Sequence, residues 1–310
     1  MRPGVLRGGL QLVASALVLG WLVHDAHHRG VQLDLGALQP GPLVAALAIK
    51  ALSLCVHELR LWTALPAPRP PATQVFGVGF VAGLANMVLP ARAGDAGLIA
   101  ALASRLRTGW PAATAAVAQI TITEVWIFGI CCAMALGAAP ALPALDADAR
   151  AQLRLVTLGG AACLAALLVV AAHLRPQAGR WSRWLPAGGP RAVGIDAVMA
   201  AVEVGSMIAA FSLGITAAGA QLTAPMATTT LILAASAGAA ALLPPAWGAG
   251  PAAACALVLG GLGAPGAVVA RAALAWWLVS QLPMATLGLW GLLTAPRVAG
   301  PTARDAGAPP

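Results

Sequence analysis

The chain has 310 residues, of which 60% are hydrophobic and only 9% charged, and its mean hydropathy is +0.84. A soluble protein of this length needs far more charge on its surface, so that class is excluded and a polytopic membrane protein is indicated. The net charge of +8 is carried almost wholly by arginines between apolar segments. That placement suits orientation signals and anionic lipid headgroups; the aromatic-interleaved basic stripe of a nucleic-acid surface is missing.

In chain order, Arg2 and Arg7 precede an apolar run from Leu10 to Val23. No small-x-small cleavage site closes it, so it reads as an uncleaved first span with a cytoplasmic N-terminus. His24, Asp25, His27 and His28 follow at a spacing that matches no zinc pattern and read as a solvated outer loop. Pro42 to Trp62 is long enough to span. Lys50, His57 and Glu58 fall near one face of it, and Glu58 and Arg60 at its end suit snorkelling to the interface. Pro66, Pro68, Pro70 and Pro71 make a stiff turn.

Gln74 to Leu106 is apolar but interrupted by Asn86-Met-Val-Leu-Pro90-Ala-Arg92-Ala-Gly94-Asp95. A lipid-facing helix would not tolerate that set. The segment is expected to be two half-length helices meeting at a break near Pro90 to Gly94, and re-entrant, since Arg60 and Arg69 before it and Arg105 and Arg107 after it point to one side. Pro111 to Leu136 is the next span and holds Gln119 and Glu124, an intramembrane carboxylate that should face the interior. The stretch with Asp146, Asp148, Arg150 and Arg154 reads as an outer loop. Leu155 to Leu174 and Ile195 to Ala218 are further spans, joined by a loop with Arg175, Arg180, Arg183 and Arg191. Glu203 lies inside the latter. Trp181 and Trp184 suit the membrane interface. Leu222 to Leu262 is apolar and broken between Leu243 and Pro251. Ala267 to Leu293 spans back, and a short polar tail follows. The five cysteines fall in apolar stretches without metal spacing and read as small buried hydrophobes.

Arginines 2, 7, 60, 69, 105, 107, 175, 180, 183, 191, 297 and 304 fall on segments assigned inside, and only 29, 150 and 154 outside. The expected location is therefore the inner (plasma) membrane, with both termini cytoplasmic. Each half, 1–154 and 155–310 of a single membrane domain, reads as helix, helix, broken pair, helix. Adding 154 takes Pro90, Gly94, Gly109 and Pro111 to Pro244, Gly248, Gly263 and Pro265. An odd number of full crossings per half makes the second half inverted. The expected fold is all-α: about six full transmembrane helices plus two re-entrant helical pairs in an inverted repeat, the architecture of transporters.

A broken helix offers free N–H groups and a positive dipole end to an anion, and Arg92 adds a fork suited to phosphate. Asp95 would neutralise Arg92 when the site is empty; a purely structural Arg92–Asp95 pair is the alternative. Asn86 suits satisfying free backbone at the break. The candidate substrate-binding set is Asn86, Pro90, Arg92, Gly94, Asp95 and Glu124, with Pro244, Gly248 and Gly250 on the second break. Glu203, Lys50 and Arg271 are weaker candidates. No HExxH, GxSxG or phosphate loop appears, so neither enzyme chemistry, cofactor nor metal is expected.

The run Asn86-x-x-x-Pro90-x-Arg92-x-Gly94-Asp95 resembles the signature of the flippase-like transmembrane region of lysylphosphatidylglycerol synthases. Leu59-Arg60-Leu61-Trp62 is similar to that family's Arg/Trp helix end. Val125 stands where the family's Glu-Arg pair would place Arg after Glu124. The family's second signature keeps Pro244, Gly248 and Gly250, with Trp247 at its first Gly and Ala253 at its Glu, and a later family Arg is absent around Trp276 and Trp277. The resemblance implies a lipid flippase acting on an anionic, glycosylated or isoprenoid-linked lipid. The tail leaves no room for the family's soluble aminoacyl-transferase domain, so lysyltransferase activity is not expected. The other expectation is a non-transporting accessory subunit of a lipid-modifying or glycosyltransferase enzyme. Partners are then membrane lipids and such an enzyme, not nucleic acid.

Overall fold

The computed structural model describes residues 24, 35–88, 93–138, 146–242 and 249–294. The predicted first span, Leu10 to Val23, lies outside them. Among the described residues every regular element is helical. The α-helices are α1 (Pro40–Ala64), α2 (Ala72–Val88), α3 (Ala93–Ser104), α4 (Trp110–Ala138), α5 (Ala147–Leu174), α6 (Gly189–Ala217), α7 (Pro225–Leu242), α8 (Ala249–Gly261) and α9 (Gly266–Thr294). Five of them, α1, α4, α5, α6 and α9, are long and apolar enough to cross a membrane. The other four are shorter apolar helices flanking the two predicted breaks: α2 and α3 run 17 and 12 residues, α7 and α8 18 and 13. Crossing the hydrocarbon core takes roughly 20 residues, so α3 and α8 each fall well short alone.

Two boundaries differ from the sequence reading. α6 begins at Gly189, six residues before the expected Ile195, so Arg191 lies in its first turn and not in the loop. The acidic stretch expected as an outer loop is the first two turns of α5. Asp146 caps that helix by accepting from the Ala149 N–H at 2.6 Å, and Asp148 sits in the first turn, where the dipole favours an acid. Elsewhere local chemistry sets the ends as expected. The turn after α1 is tied down by Trp62 Nε1 donating to the Pro70 carbonyl at 3.0 Å, while Arg69 stacks over the Trp62 ring and donates to the Leu65 and Thr63 carbonyls. The turns after α3 and α8 each use a glycine in the left-handed region, Gly109 (φ 81°) and Gly263 (φ 79°).

α1 and α6 pack along each other at the centre. Each short pair packs on itself, α2 on α3 and α7 on α8, and each also packs on the long helix that follows it, α3 on α4 and α8 on α9. The first helix of each pair reaches across to the other half, α2 to α9 and α7 to α4. Each pair has its own apolar core. One joins Leu61 and Leu65 to Val75, Val78, Leu98, Leu102 and Ile120. The other joins Ala46 and Phe211 to Ile232, Cys255, Leu259 and Trp276. Between α2 and α9 small residues let backbones approach: a Cβ on Gly291 would lie 2.6 Å from the Gly77 carbonyl oxygen, and one on Gly288 would strike Leu84. At the edge, α5 turns Leu155 and Val156, each 70% exposed, away from the protein, as a lipid-facing helix would.

Candidate functional site

Two polar constellations lie inside this apolar frame. The first is at the break between α2 and α3. Asn86, in the last turn of α2, donates from Nδ2 to Asp95 Oδ1 at 2.7 Å, across to the first turn of α3. Gly94 makes the closure fit: a Cβ there would lie 2.2 Å from the Ala82 carbonyl oxygen and 2.5 Å from Asn86 Oδ1. Asn86 thus holds Asp95 with its amide nitrogen, rather than serving only free backbone, while its Oδ1 is buried without a hydrogen-bond partner. Pro90 and Arg92 lie outside the described residues, as do Pro244 and Gly248 of the second break. Gly250 is described, and is buried in the first turn of α8.

The second constellation is where α1, α4 and α6 meet. At helical spacing Lys50, Ser53, His57 and Arg60 form one stripe on α1, and Asp196 and Glu203 one on α6. Arg60 is completely buried, and each guanidinium nitrogen has an acceptor: Nε donates to Asp196 Oδ1 at 2.8 Å, Nη1 to Glu203 Oε2, and Nη2 to the Ile120 carbonyl of α4 at 2.8 Å. Gln119 Nε2 approaches the other Asp196 oxygen at 3.4 Å, and Ser53 Oγ donates to the Glu203 carbonyl at 3.1 Å. His57 Nδ1 lies 2.8 Å from Glu203 Oε1 and 4.0 Å from Glu124 Oε2. Burying an ion costs several kcal/mol unless a partner offsets it, and here an arginine fork bridges two acids.

The structure therefore brings Glu124 to His57 and Glu203, and Asp95 to Asn86. Arg60 and Glu58 do not snorkel. Arg60 is the hub of the ion cluster, and Glu58 is buried against Gly79 of α2, because α1 is surrounded at this end by α2, α4 and α6. Glu58 also leaves the face it was expected to share with Lys50 and His57. Lys50 lies 5.9 Å from the Phe211 ring centroid and interacts electrostatically with Glu203 and Glu124. Arg271 donates from Nε to the Ala218 carbonyl at 3.2 Å and so serves the end of α6. Sequence reasoning missed Asp196 altogether. Its signal was the seven-residue spacing to Glu203, two acids on one face of a span.

Chemically, the first constellation places a carboxylate and an amide at a helix N-terminus beside Arg92 in sequence. The second gathers one imidazole and two carboxylates, His57, Glu124 and Glu203, whose ligand atoms all lie within 4.8 Å of one another and could hold a small cation. Comparison with curated proteins and with solved structures gave no match. Comparison with protein families gave one over residues 9–288, which include both constellations. The chain is a multi-pass membrane protein that belongs to the family of the lysylphosphatidylglycerol synthase transmembrane region.

Proposed function

We propose that the chain is a flippase-like transporter of the inner membrane, moving an anionic or isoprenoid- or sugar-linked lipid past a broken-helix site at mid-bilayer. The observation that carries this reading is the packing pattern of the helices. Exchange α1 with α6, α2 with α7, α3 with α8 and α4 with α9, and every contact among them maps onto another contact of the set. The two left-handed turn glycines, Gly109 and Gly263, exchange as well, at the offset of 154 found in the sequence. This supports two inverted halves, each contributing one re-entrant pair, with the substrate site between the pairs. Family membership supports a role in lipid handling.

In this reading Arg92 and the first amides of α3 receive the lipid phosphate. Asp95, tethered by Asn86, holds the arginine when no lipid is bound. Gly94 keeps the two half-helices close enough for both to touch one headgroup; on the second break the offset of 154 gives that part to Gly248, beside Pro244, whereas a Cβ on Gly250 would meet nothing within 4 Å. A second reading is favoured by one sequence feature, Ala253 where the family's second signature has Glu: an accessory subunit that presents lipid to a modifying enzyme or glycosyltransferase. The test is lipid movement in proteoliposomes, with a fluorescent anionic phospholipid and a fluorescent polyprenyl phosphate. Wild type should move at least one of them, and Arg92→Ala and Asp95→Ala, verified as folded, should fall to the protein-free rate. A wild type that moves neither, yet co-purifies with a lipid-modifying enzyme, would establish the accessory reading.

A further inference from the structure

The cluster between α1, α4 and α6 has an unbalanced charge. Lys50 and Arg60 bring two positive charges, and Asp196, Glu203 and Glu124 three negative ones, a sum of −1. The remaining acid, Glu58, turns to Gly79 on α2, a helix without a charged residue, where its buried Oε2 has no hydrogen-bond partner, and it is not one of these paired groups. Of the other charged groups on these and neighbouring helices, Arg191 is exposed in the first turn of α6, Asp95 is held by Asn86 and Arg271 donates to the Ala218 carbonyl. A net charge among apolar helices is costly, so the cluster needs one more positive charge. Its geometry says where. His57 Nδ1 stands between two carboxylates, 2.8 Å from Glu203 and 4.0 Å from Glu124. The His57 and Glu124 side chains are 29% and 32% exposed within the protein, so the pair is open on one side.

We propose that His57, Glu124 and Glu203 form a proton-binding site, occupied as an imidazolium, through which lipid movement is coupled to the proton gradient. The coupling half rests on the transporter reading above. The contacts favour a proton, which is held between His57 Nδ1 and Glu203 Oε1 at 2.8 Å and brings the paired groups to zero, whereas a divalent ion would add two charges beside Lys50 and Arg60. On release, a water bridging the 4.0 Å between them carries the proton from His57 Nδ1 to Glu124 Oε2, which passes it on to bulk water, leaving a neutral imidazole and both carboxylates ionised. Glu124 of α4 and Glu203 of α6 then repel each other without the charge between them, which drives α4 and α6 apart. The two states of the site thus correspond to two arrangements of the central helices.

The experiment uses the full chain, with nitrogen-15 histidine, in lipid nanodiscs, and the same chain in proteoliposomes with a fluorescent anionic phospholipid. The His57 resonance, assigned by its loss in His57→Gln, should be that of an imidazolium at neutral pH and should become that of a neutral ring in Glu124→Gln. In proteoliposomes a one-unit pH gradient should shift the steady-state distribution of the probe between leaflets by about tenfold for one proton per lipid. Glu124→Gln should abolish that shift. A neutral His57 in wild type at neutral pH overturns the site. So does stoichiometric binding of zinc or manganese at His57 that Glu124→Gln removes. Lipid movement indifferent to the gradient overturns the coupling and leaves the transporter reading standing. A wild type that moves no lipid removes that reading and the coupling together, and the resonance alone then decides the proton site.

Discussion

Arg60 shows what the membrane interior demands of a single side chain. Its guanidinium is fully buried and satisfies two acids of α6 and a carbonyl of α4 at once. Removing it would leave Asp196 a buried charge without an ionic partner and Glu203 with His57 alone. Arg60→Met should therefore cost about 3–5 kcal/mol, the usual penalty for breaking a buried ion pair from one side. Arg60→Lys should recover only part of this, because an ammonium cannot reproduce a planar fork aimed at three acceptors. The triple variant Arg60→Met, Asp196→Asn, Glu203→Gln should be more stable than Arg60→Met alone, since no unpaired charge remains. Denaturant unfolding in mild detergent measures all three; a triple variant no more stable than Arg60→Met would refute the pairing as the cause. The sequence displayed part of the two polar constellations. Asn86, Asp95 and Glu124 are conspicuous because they interrupt apolar runs. Arg60 and Glu58, at a helix end, have the same signature as residues reaching for the interface. Only their neighbours distinguish the two cases, and the acids that pair with Arg60 lie 136 and 143 residues away. Asp196, just inside its span and close to Arg191, was hidden for the same reason.

At the scale of elements, the first short pair is held shut by the absence of one side chain. A Cβ on Gly94 would meet the Ala82 carbonyl oxygen at 2.2 Å, and a backbone oxygen within a helix cannot turn aside as a flexible side chain can. Gly94→Ala should therefore part α2 from α3, break the Asn86–Asp95 hydrogen bond and cost about 1–3 kcal/mol, the range of overpacking in a tight core. Gly97, one turn further along α3, has open space where its Cβ would stand. Gly97→Ala should be neutral or raise stability by up to about 1 kcal/mol through helix propensity alone. Thermal unfolding, with deuterium exchange of residues 72–104, reads both variants. Faster exchange should appear in Gly94→Ala only; equal behaviour would mean that the glycine is there for its backbone and not for the contact. Such breaks are legible in sequence because Pro, Gly and polar residues are costly inside an apolar run. The start of α5 was not, because Asp146, Asp148 and two arginines look like a loop until the capping bond turns them into a helix end.

At the scale of the whole molecule, the contact pattern that survives exchange of halves has a directional consequence. If the halves are inverted, equivalent turns open on opposite sides of the membrane. The turn after α3, beginning at Arg105, and the turn after α8, beginning at Leu262, are such a pair, each built on a left-handed glycine. Composition and periodicity made the spans legible but are blind to this orientation, apart from the arginine asymmetry. Single cysteines in a background lacking Cys55, Cys131, Cys132, Cys163 and Cys255 can test it. Arg105→Cys replaces an exposed side chain, and Gly261→Cys places a thiol where nothing lies within 4 Å of a Cβ. A membrane-impermeant maleimide should label Gly261→Cys in intact cells and Arg105→Cys only in inside-out vesicles. The tips of the breaks should follow their own mouths, Arg92→Cys reacting from the cytoplasm and Gly248→Cys from outside, more slowly because each is reached through a cavity. Labelling of Arg105→Cys and Gly261→Cys from the same side would rule out inversion. The two short pairs would then be parallel copies, and a substrate site facing alternately inward and outward between them would lose its structural basis.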